Sequence, residues 1–230
     1  MTISKRILMV LTSHSKLGNT GKKTGFWVEE FAAPYYEFID AGFSVTLVTP
    51  KGGQAPIDPT SELTDFQTDA TKRFNIDEIA QDLISNTCIL SDINSDDFDG
   101  VFYPGGHGPL WDLTNNSQSI GLIESFLNAN KPIAAVCHAT AAFLNAKEKS
   151  GEFVVKNKAI TGFSNTEEEA VQLTNVVPFL LEDELIKRGS DYQKISDWHA
   201  FAIQDGLVIT GQNPASSSIA AQKLLAHITK

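Results

Sequence analysis

The chain has 230 residues, of which 42% are hydrophobic and 20% charged, and its formal net charge is −10 at pH 7. This is the composition of an ordinary globular protein with enough residues for one α/β core, so we predict a single domain over 1–230. The acidic balance argues against nucleic acid and anionic membranes as partners, and no apolar run is long enough to cross a bilayer.

The hydrophobic pattern alternates along the chain between segments typical of strands and segments typical of helices. The first apolar run, RILMVLT, lacks a following small-residue cleavage pattern, so it indicates a buried strand and not a signal peptide. The predicted strands cover residues 6–12, 43–50, 100–106, 132–136, 199–203 and 207–210. The predicted helices cover residues 26–42, 76–89, 120–130, 138–147, 166–172, 178–188 and 214–228, and residues 51–75 are predicted to be a long surface excursion.

Repeated strand–helix–strand units with fully apolar strands indicate the α/β class. We expect a three-layer sandwich with a mostly parallel, flavodoxin-like central sheet and a nucleophile elbow. Ligands of such folds collect at the carboxyl ends of the strands. The third and fourth strands end in PGGHG (104–108) and CHAT (137–140), so we expect the functional site there.

Cys137 lies where a buried strand ends and a helix begins, which is the position of a nucleophile elbow. The amides at the start of the following helix favour a thiolate, which is the reactive form of cysteine. A buried structural cysteine is equally compatible with this apolar stretch. The other cysteine, Cys88, is too far along the chain to form a CxxC motif or a metal-binding pair with Cys137, and we predict that it is a buried packing residue. Two cysteines this far apart in the sequence favour a protein of the reducing cytoplasm.

Two further features lie near Cys137 in the predicted fold. The glycines of PGGHG allow backbone amides to approach an oxyanion closely, although a plain glycine-rich turn has the same sequence. On the first helix, Glu29 and Glu30 face different directions, so one of them can point inward, where burial would raise its pKa and keep it protonated.

Several segments together resemble the ThiJ/PfpI superfamily, which has the class I glutamine amidotransferase-like fold. They are Glu30, PGGHG (104–108), AVCHA (135–139), ITGFSNTEEEA (160–170) and GQNPASS (211–217). The resemblance extends from the first strand to the last helix. It is strongest to the branch of glutathione-independent glyoxalases (glyoxalase III), whose members are also described as small heat-shock-type chaperones and protein deglycases.

The resemblance implies a role for each matching residue. Cys137 matches the nucleophile, His138 the adjacent imidazole, Glu30 the acid beside the thiol, and Glu168 the carboxylate that orients the histidine. Glu167 and Glu169 stay open as alternatives to Glu168. The amides of Gly106 and His138 match an oxyanion hole, and His107 and Trp111 the pocket mouth. Three more residues are weaker candidates for the pocket, namely His14, His199 and Trp198.

The family implies conversion of a 2-oxoaldehyde, methylglyoxal, to lactate through a hemithioacetal on Cys137, with no cofactor. Larger relatives bind zinc through a His-Glu-His set, but we place no equivalent set in this sequence and assign no metal. It also implies a homodimer and unfolded or glycated proteins as further partners. A holdase chaperone or a redox sensor based on Cys137 is the main alternative, and a cysteine peptidase or amidase is a lesser one. Glutamine amidotransferases use a His-x-Glu pair, but His199 is followed by Ala-Phe and His227 by Ile-Thr.

Overall fold

The computed structural model describes residues 5–230. The strands are β1 (Arg6–Val10), β2 (Ser44–Thr49), β3 (Cys88–Ile89), β4 (Gly100–Tyr103), β5 (Ile133–Val136), β6 (Ala159–Ile160), β7 (Asp191–Tyr192), β8 (Ala202–Asp205) and β9 (Val208–Gly211). The α-helices are α1 (Val28–Asp40), α2 (Asp69–Phe74), α3 (Glu78–Ser85), α4 (Pro109–Asp112), α5 (Ser117–Asn128), α6 (Asn165–Ala170), α7 (Leu181–Lys187) and α8 (Ser217–Ile228).

Seven strands form the main sheet, in the order β3-β2-β1-β4-β5-β9-β8. Only the β8–β9 pair of this sheet is antiparallel. Strands β2-β1-β4-β5-β9 follow the flavodoxin order, and the chain reverses direction across the sheet between β1 and β4. The carboxyl ends of β1, β4 and β5 therefore border the crevice where ligands of this fold bind.

Helices cover the main sheet because its central strands are apolar on both faces. Every residue of β4 and β5 is buried, as are four of the five residues of β1. The crossovers through α1 and α5 run in opposite directions from the centre of the sheet, so these helices lie on opposite faces. Helix α8 packs against α1 and the central strands. The predicted α/β class with a mostly parallel sheet flanked by helices is confirmed.

Two predictions from the sequence are wrong in the region of β3. The helix predicted over 76–89 ends at Ser85, and its last residues form the edge strand β3, in which Cys88 pairs with Val48. Cys88 is exposed and not buried, because this two-residue strand lies at the end of the sheet with no strand beyond it.

The segment after β5 also differs from the predicted α-helix over 138–147. A buried 3₁₀-helix runs over Cys137–Phe143, where three alanines allow the chain to wind tightly. The rest of the predicted helix turns back on itself, with Lys147 bridged to Phe153. The predicted excursion over 51–75 contains two 3₁₀-turns and helix α2. No helix within residues 5–230 is long and apolar enough to cross a membrane.

Candidate active site

A strained turn at Cys137 places its sulfur at the carboxyl edge of the sheet. Cys137 directly follows Val136, the last residue of β5, and has a φ of +58°. This left-handed conformation costs a residue with a side chain about 1–2 kcal/mol, so the surrounding structure has to hold it. The sharp passage from strand to 3₁₀-helix corresponds to the predicted nucleophile elbow.

Glu30 meets this sulfur from the first turn of α1 and is completely buried. Its Oε2 accepts a hydrogen bond of 3.0 Å from the amide of Gly105, in the loop after β4. A Cβ at position 105 would lie 2.4 Å from that oxygen and 2.6 Å from the carbonyl oxygen of Val136, so this position requires glycine. Burial raises the pKa of the Glu30 carboxyl well above its usual value, and the Cys137 thiol and the Gly105 amide lower it by less.

The surroundings of Cys137 shift the pKa of its thiol upward, against the direction predicted from the sequence. The residue is 3% exposed, and burial raises the pKa of its thiol well above the usual range. The charge of Glu30 raises this pKa further, whereas the His138 amide lowers it. The pKa of the thiol is therefore shifted in the direction opposite to that predicted from the sequence, because the elbow encloses the sulfur and desolvation outweighs the helix amides.

A chain of contacts leads from the sulfur through two imidazole rings and one carboxylate. The Cys137 sulfur lies 3.2 Å from Nδ1 of His138, and Nε2 of His138 lies 2.7 Å from Oε2 of Glu168. The other oxygen of Glu168 lies 2.9 Å from Nε2 of His107. The two imidazole rings are 4.0 Å apart, so one buried carboxylate holds both of them.

The environment of this chain fixes the tautomer of His138. Burial lowers the pKa of His138 to about 4, and Glu168 opposes this lowering only in part. Burial raises the pKa of Glu168, but the charges and hydrogen bonds of the two histidines outweigh burial and hold that pKa well below the usual range. At neutral pH a Glu168 carboxylate thus accepts N–H donors from both rings. Nδ1 of the neutral His138 then presents its lone pair to the Cys137 thiol.

The three consecutive glutamates of α6 have three different environments. Glu168 contacts His138, and Glu169 is exposed. Glu167 is fully buried, and its carboxylate accepts hydrogen bonds from Ser164, Trp198, Gln212 and Asn213. Glu167 therefore holds neighbouring loops together, and Glu168 is the carboxylate in contact with the imidazole.

A cavity of about 890 Å³ opens above the sulfur. Cys137, Glu30 and His138 form part of its wall together with Gly106 and His107. Gly106 has a φ of +93°, and a Cβ there would lie 2.5 Å from the carbonyl oxygen of Gly25. Glycine is needed at position 106 for both reasons, because a larger residue would be strained at this φ and would overlap the backbone at Gly25.

The fold and this arrangement agree with comparisons to known proteins. The family model described as the DJ-1/PfpI family matches residues 23–227. The chain belongs to the DJ-1/PfpI family. It is 31% identical to the glutathione-independent glyoxalase HSP31 of Saccharomyces cerevisiae, over 93% of each chain.

Two solved structures superimpose closely on this DJ-1/PfpI chain. The Rapid Encystment Protein 24 kDa of Francisella tularensis has a TM-score of 0.93 and 37% identity, with 97% of this chain and 99% of that chain covered. Glyoxalase III of Candida albicans has a TM-score of 0.88 and 28% identity, with 96% of each chain covered.

The structure does not bring every predicted pocket residue to the cavity of this DJ-1/PfpI protein. Trp111 lies outside the cavity wall, because the one-turn helix α4 directs it onto His14, with ring centroids 4.9 Å apart and nearly parallel planes. The structure therefore does not place Trp111 on the wall of this cavity. His199 is exposed and contributes no part of the wall, whereas the weaker candidate Trp198 does.

The same site could offer ligands to a metal ion. His107, His138 and Glu168 each have a ligand atom within 4.8 Å of the others. Nε2 of His107 and Nε2 of His138 already hydrogen-bond to the carboxylate of Glu168. Each of these nitrogens would have to lose its proton, or the ring would have to change tautomer, before it could bind a metal ion. The family resemblance instead assigns His138 to proton transfer, Glu168 to the orientation of His138, and His107 to the pocket mouth.

Sequence reasoning missed the aromatic residues Trp27, Phe66 and Phe163 in the cavity wall. Phe163 lies within ITGFSNTEEEA, and Trp27 lies three residues before Glu30, so proximity to the matched motifs was an available signal. Phe66 had no such signal, because it comes from the excursion whose path the sequence does not reveal.

Proposed function

We propose that the protein is a glutathione-independent glyoxalase that converts methylglyoxal to lactate with Cys137 as the nucleophile. The observation that carries this proposal is a buried thiol between the imidazole of His138, 3.2 Å away, and a buried carboxyl, Glu30, whose pKa is raised by burial. The reaction needs two proton carriers beside one nucleophile. Relatives named glyoxalases with similar sequences and folds support the same reading.

The first step forms a hemithioacetal. The sulfur of Cys137 bonds to the aldehyde carbon, C1, while the thiol proton crosses the 3.2 Å to Nδ1 of His138. Glu30 gives its proton to the aldehyde oxygen. The imidazolium that forms is stabilised by the carboxylate of Glu168, 2.7 Å away. A neutral thiol can act here because His138 takes its proton as the bond forms.

The second step moves hydrogen from C1 to C2. The Glu30 carboxylate removes the C1 proton, the electron pair forms the C1–C2 double bond, and the C2 oxygen takes the proton of His138. The enediol then receives the Glu30 proton at C2 and gives its C1 hydroxyl proton to His138. The product is the thioester of lactate on Cys137, so C1 has been oxidised and C2 reduced without an external electron acceptor.

The third step releases the product. Water attacks the thioester carbon and gives a proton to Glu30, the carbon–sulfur bond breaks, and the sulfur of Cys137 recovers its proton from His138. Lactic acid leaves, and every group returns to its starting state. The amides of Gly106 and His138 serve as oxyanion donors, each contributing about 3 kcal/mol. Acid–base catalysis by Glu30 and His138 contributes about 10²–10⁴-fold per group.

The test is lactate release from methylglyoxal by the purified full chain without glutathione. We expect turnover by the wild type and by Cys88→Ser, which changes the exposed cysteine, and none by Cys137→Ser. Wild-type protein that makes no lactate, or Cys137→Ser protein that still makes it, would contradict the proposal. Suppression of aggregation that survives Cys137→Ser in a protein without turnover would instead support the holdase alternative.

We also propose a location in the cytoplasm, a homodimeric state and protein partners. A reducing cytoplasm suits two unpaired thiols, one of which must stay reduced to react. The homodimer and the unfolded or glycated protein partners follow from the family resemblance and stay predictions. Size-exclusion chromatography with light scattering tests the dimer.

A further inference from the structure

The cavity is far larger than the three-carbon substrate requires. Methylglyoxal has five non-hydrogen atoms, and at the volume of about 30 Å³ that a water molecule occupies for each of them it fills roughly 150 Å³. The cavity has a volume of about 890 Å³. Pockets of this volume enclose ligands of drug size. Most of the space therefore lies beyond the two carbons that react.

An aromatic path leads from the catalytic imidazole to the opening of this space. The ring of Phe163 lies 4.3 Å from the ring of His138, and Trp198 meets Phe163 edge-on at 5.8 Å. Phe163 is 4% exposed, whereas Trp198 is 48% exposed, so the path begins in the interior and ends in solvent.

The backbone of Trp198, which carries an exposed indole, is held in a conformation that a bulky residue rarely adopts. Its φ of +64° is a left-handed conformation that is rare for a bulky residue and concentrates at ligand-binding positions. The Trp198 amide donates a 3.0 Å hydrogen bond to the buried carboxylate of Glu167, which also holds Asn213 at 2.8 Å. A buried carboxylate thus fixes a half-exposed aromatic side chain at the cavity.

A second aromatic pair belongs to the same cavity wall. Trp27 packs edge-on against Phe66, 5.0 Å away, and Phe66 is 42% exposed. The Trp27 amide donates to the carbonyl of Gly105, so this ring is tied to the loop that holds Glu30. Thr68, two residues after Phe66, donates to Glu29 and fastens the excursion to α1.

We propose that Trp27, Phe66, Phe163 and Trp198 form an aromatic subsite for the substituent of larger 2-oxoaldehydes, so that aldehydes with an aryl ring are preferred over methylglyoxal. The proposal rests on the proposed function, since it assigns the rest of the substrate at the same sulfur. Aromatic rings bind one another by offset stacking and edge-to-face contact, and this subsite presents two partly exposed rings.

Binding of an unreactive ring separates this proposal from the chemistry. The test measures, by calorimetry, the dissociation constants of acetophenone and of acetone for the full chain. Acetophenone should bind at least tenfold more tightly than acetone, and Trp198→Gly or Phe66→Ala should remove most of this difference. Trp198→Gly suits the left-handed backbone, and Ile79→Ala is the control, because Ile79 is exposed and lies outside the cavity. Equal binding of the two ketones, or a difference that both variants keep, would overturn the subsite.

Turnover then tests substrate choice. The ratio of kcat/KM for phenylglyoxal to that for methylglyoxal should fall at least tenfold in Trp198→Gly and in Phe66→Ala, mainly through KM, and should stay at the wild-type value in Ile79→Ala. An unchanged ratio in both cavity variants would overturn the preference. If neither aldehyde is consumed while acetophenone still binds through Trp198, the proposed function fails and the subsite remains.

Discussion

The substitution Glu168→Gln changes one atom of the site and tests the histidine chain directly. The carboxylate accepts one N–H from His138 and one from His107, at 2.7 and 2.9 Å. An amide of the same shape offers one acceptor and one donor, so at one ring two donors would face each other. Each charge-assisted hydrogen bond of this kind contributes about 1.5–3 kcal/mol, and we expect a stability loss of about 2–3 kcal/mol.

The larger effect of Glu168→Gln is on catalysis. When the amide NH₂ group faces Nε2 of His138, the ring has to carry its proton on Nδ1, where it points at the Cys137 sulfur. His138 then cannot accept the thiol proton, and we expect kcat to fall about 10²–10⁴-fold. KM should change little, because Glu168 is not part of the cavity wall.

The assay is steady-state lactate formation at pH 7, with circular dichroism and denaturant unfolding to show that the variant is folded. Glu169→Gln is the matched control, since this neighbour in α6 is exposed and should keep wild-type kcat and stability. A folded Glu168→Gln protein with kcat within fivefold of the wild type would refute the role of the tautomer.

Three further predictions concern the same site. Glu30→Gln should lower kcat at least 100-fold. It should also raise the free energy of unfolding at pH 7 by about 1–3 kcal/mol, because it removes a buried carboxyl with a raised pKa. Denaturant titrations should show this gain in stability shrinking toward pH 4.5. Gly105→Ala should abolish lactate formation and lower the melting temperature, since its Cβ would overlap the Glu30 carboxyl. The neutral His138, whose pKa is about 4 in the folded chain and near 6.5 when unfolded, should make stability fall by roughly 3 kcal/mol between pH 6.5 and 4. His138→Gln should flatten that part of the curve, and an unchanged slope would contradict the assignment.

The central strands of the main sheet were predictable because they are runs of apolar residues separated by turn-forming residues. Such runs are typical of buried parallel strands, and the position of Cys137 after β5 follows from one of them. The sequence pattern predicted that one of Glu29 and Glu30 points inward from α1, but it did not decide which one. Distances in the folded chain decide that choice, since only Glu30 reaches the Gly105 amide.

Other features depend on contacts between distant segments and could not be read from local pattern. Three adjacent glutamates look like a solvated helix start, yet two of them are buried because loops around Trp198 and Asn213 close over Glu167. The thiolate prediction considered the helix amides and omitted desolvation, which depends on how completely the fold encloses Cys137. The direction of Trp111 was set by a single turn of helix, too short for any periodicity to reveal.

Covalent capture of the substrate on Cys137 is the most direct measurement. Native mass spectrometry of the Glu30→Gln protein in solution with methylglyoxal, without a reducing agent that would consume the aldehyde in equilibrium with the hemithioacetal, should find one substrate equivalent that requires Cys137. The paired Glu30→Gln, Cys137→Ser protein should gain none. A wild type that releases lactate while the Glu30→Gln protein carries no adduct on residue 137 at any time would show that the carbonyl reacts elsewhere.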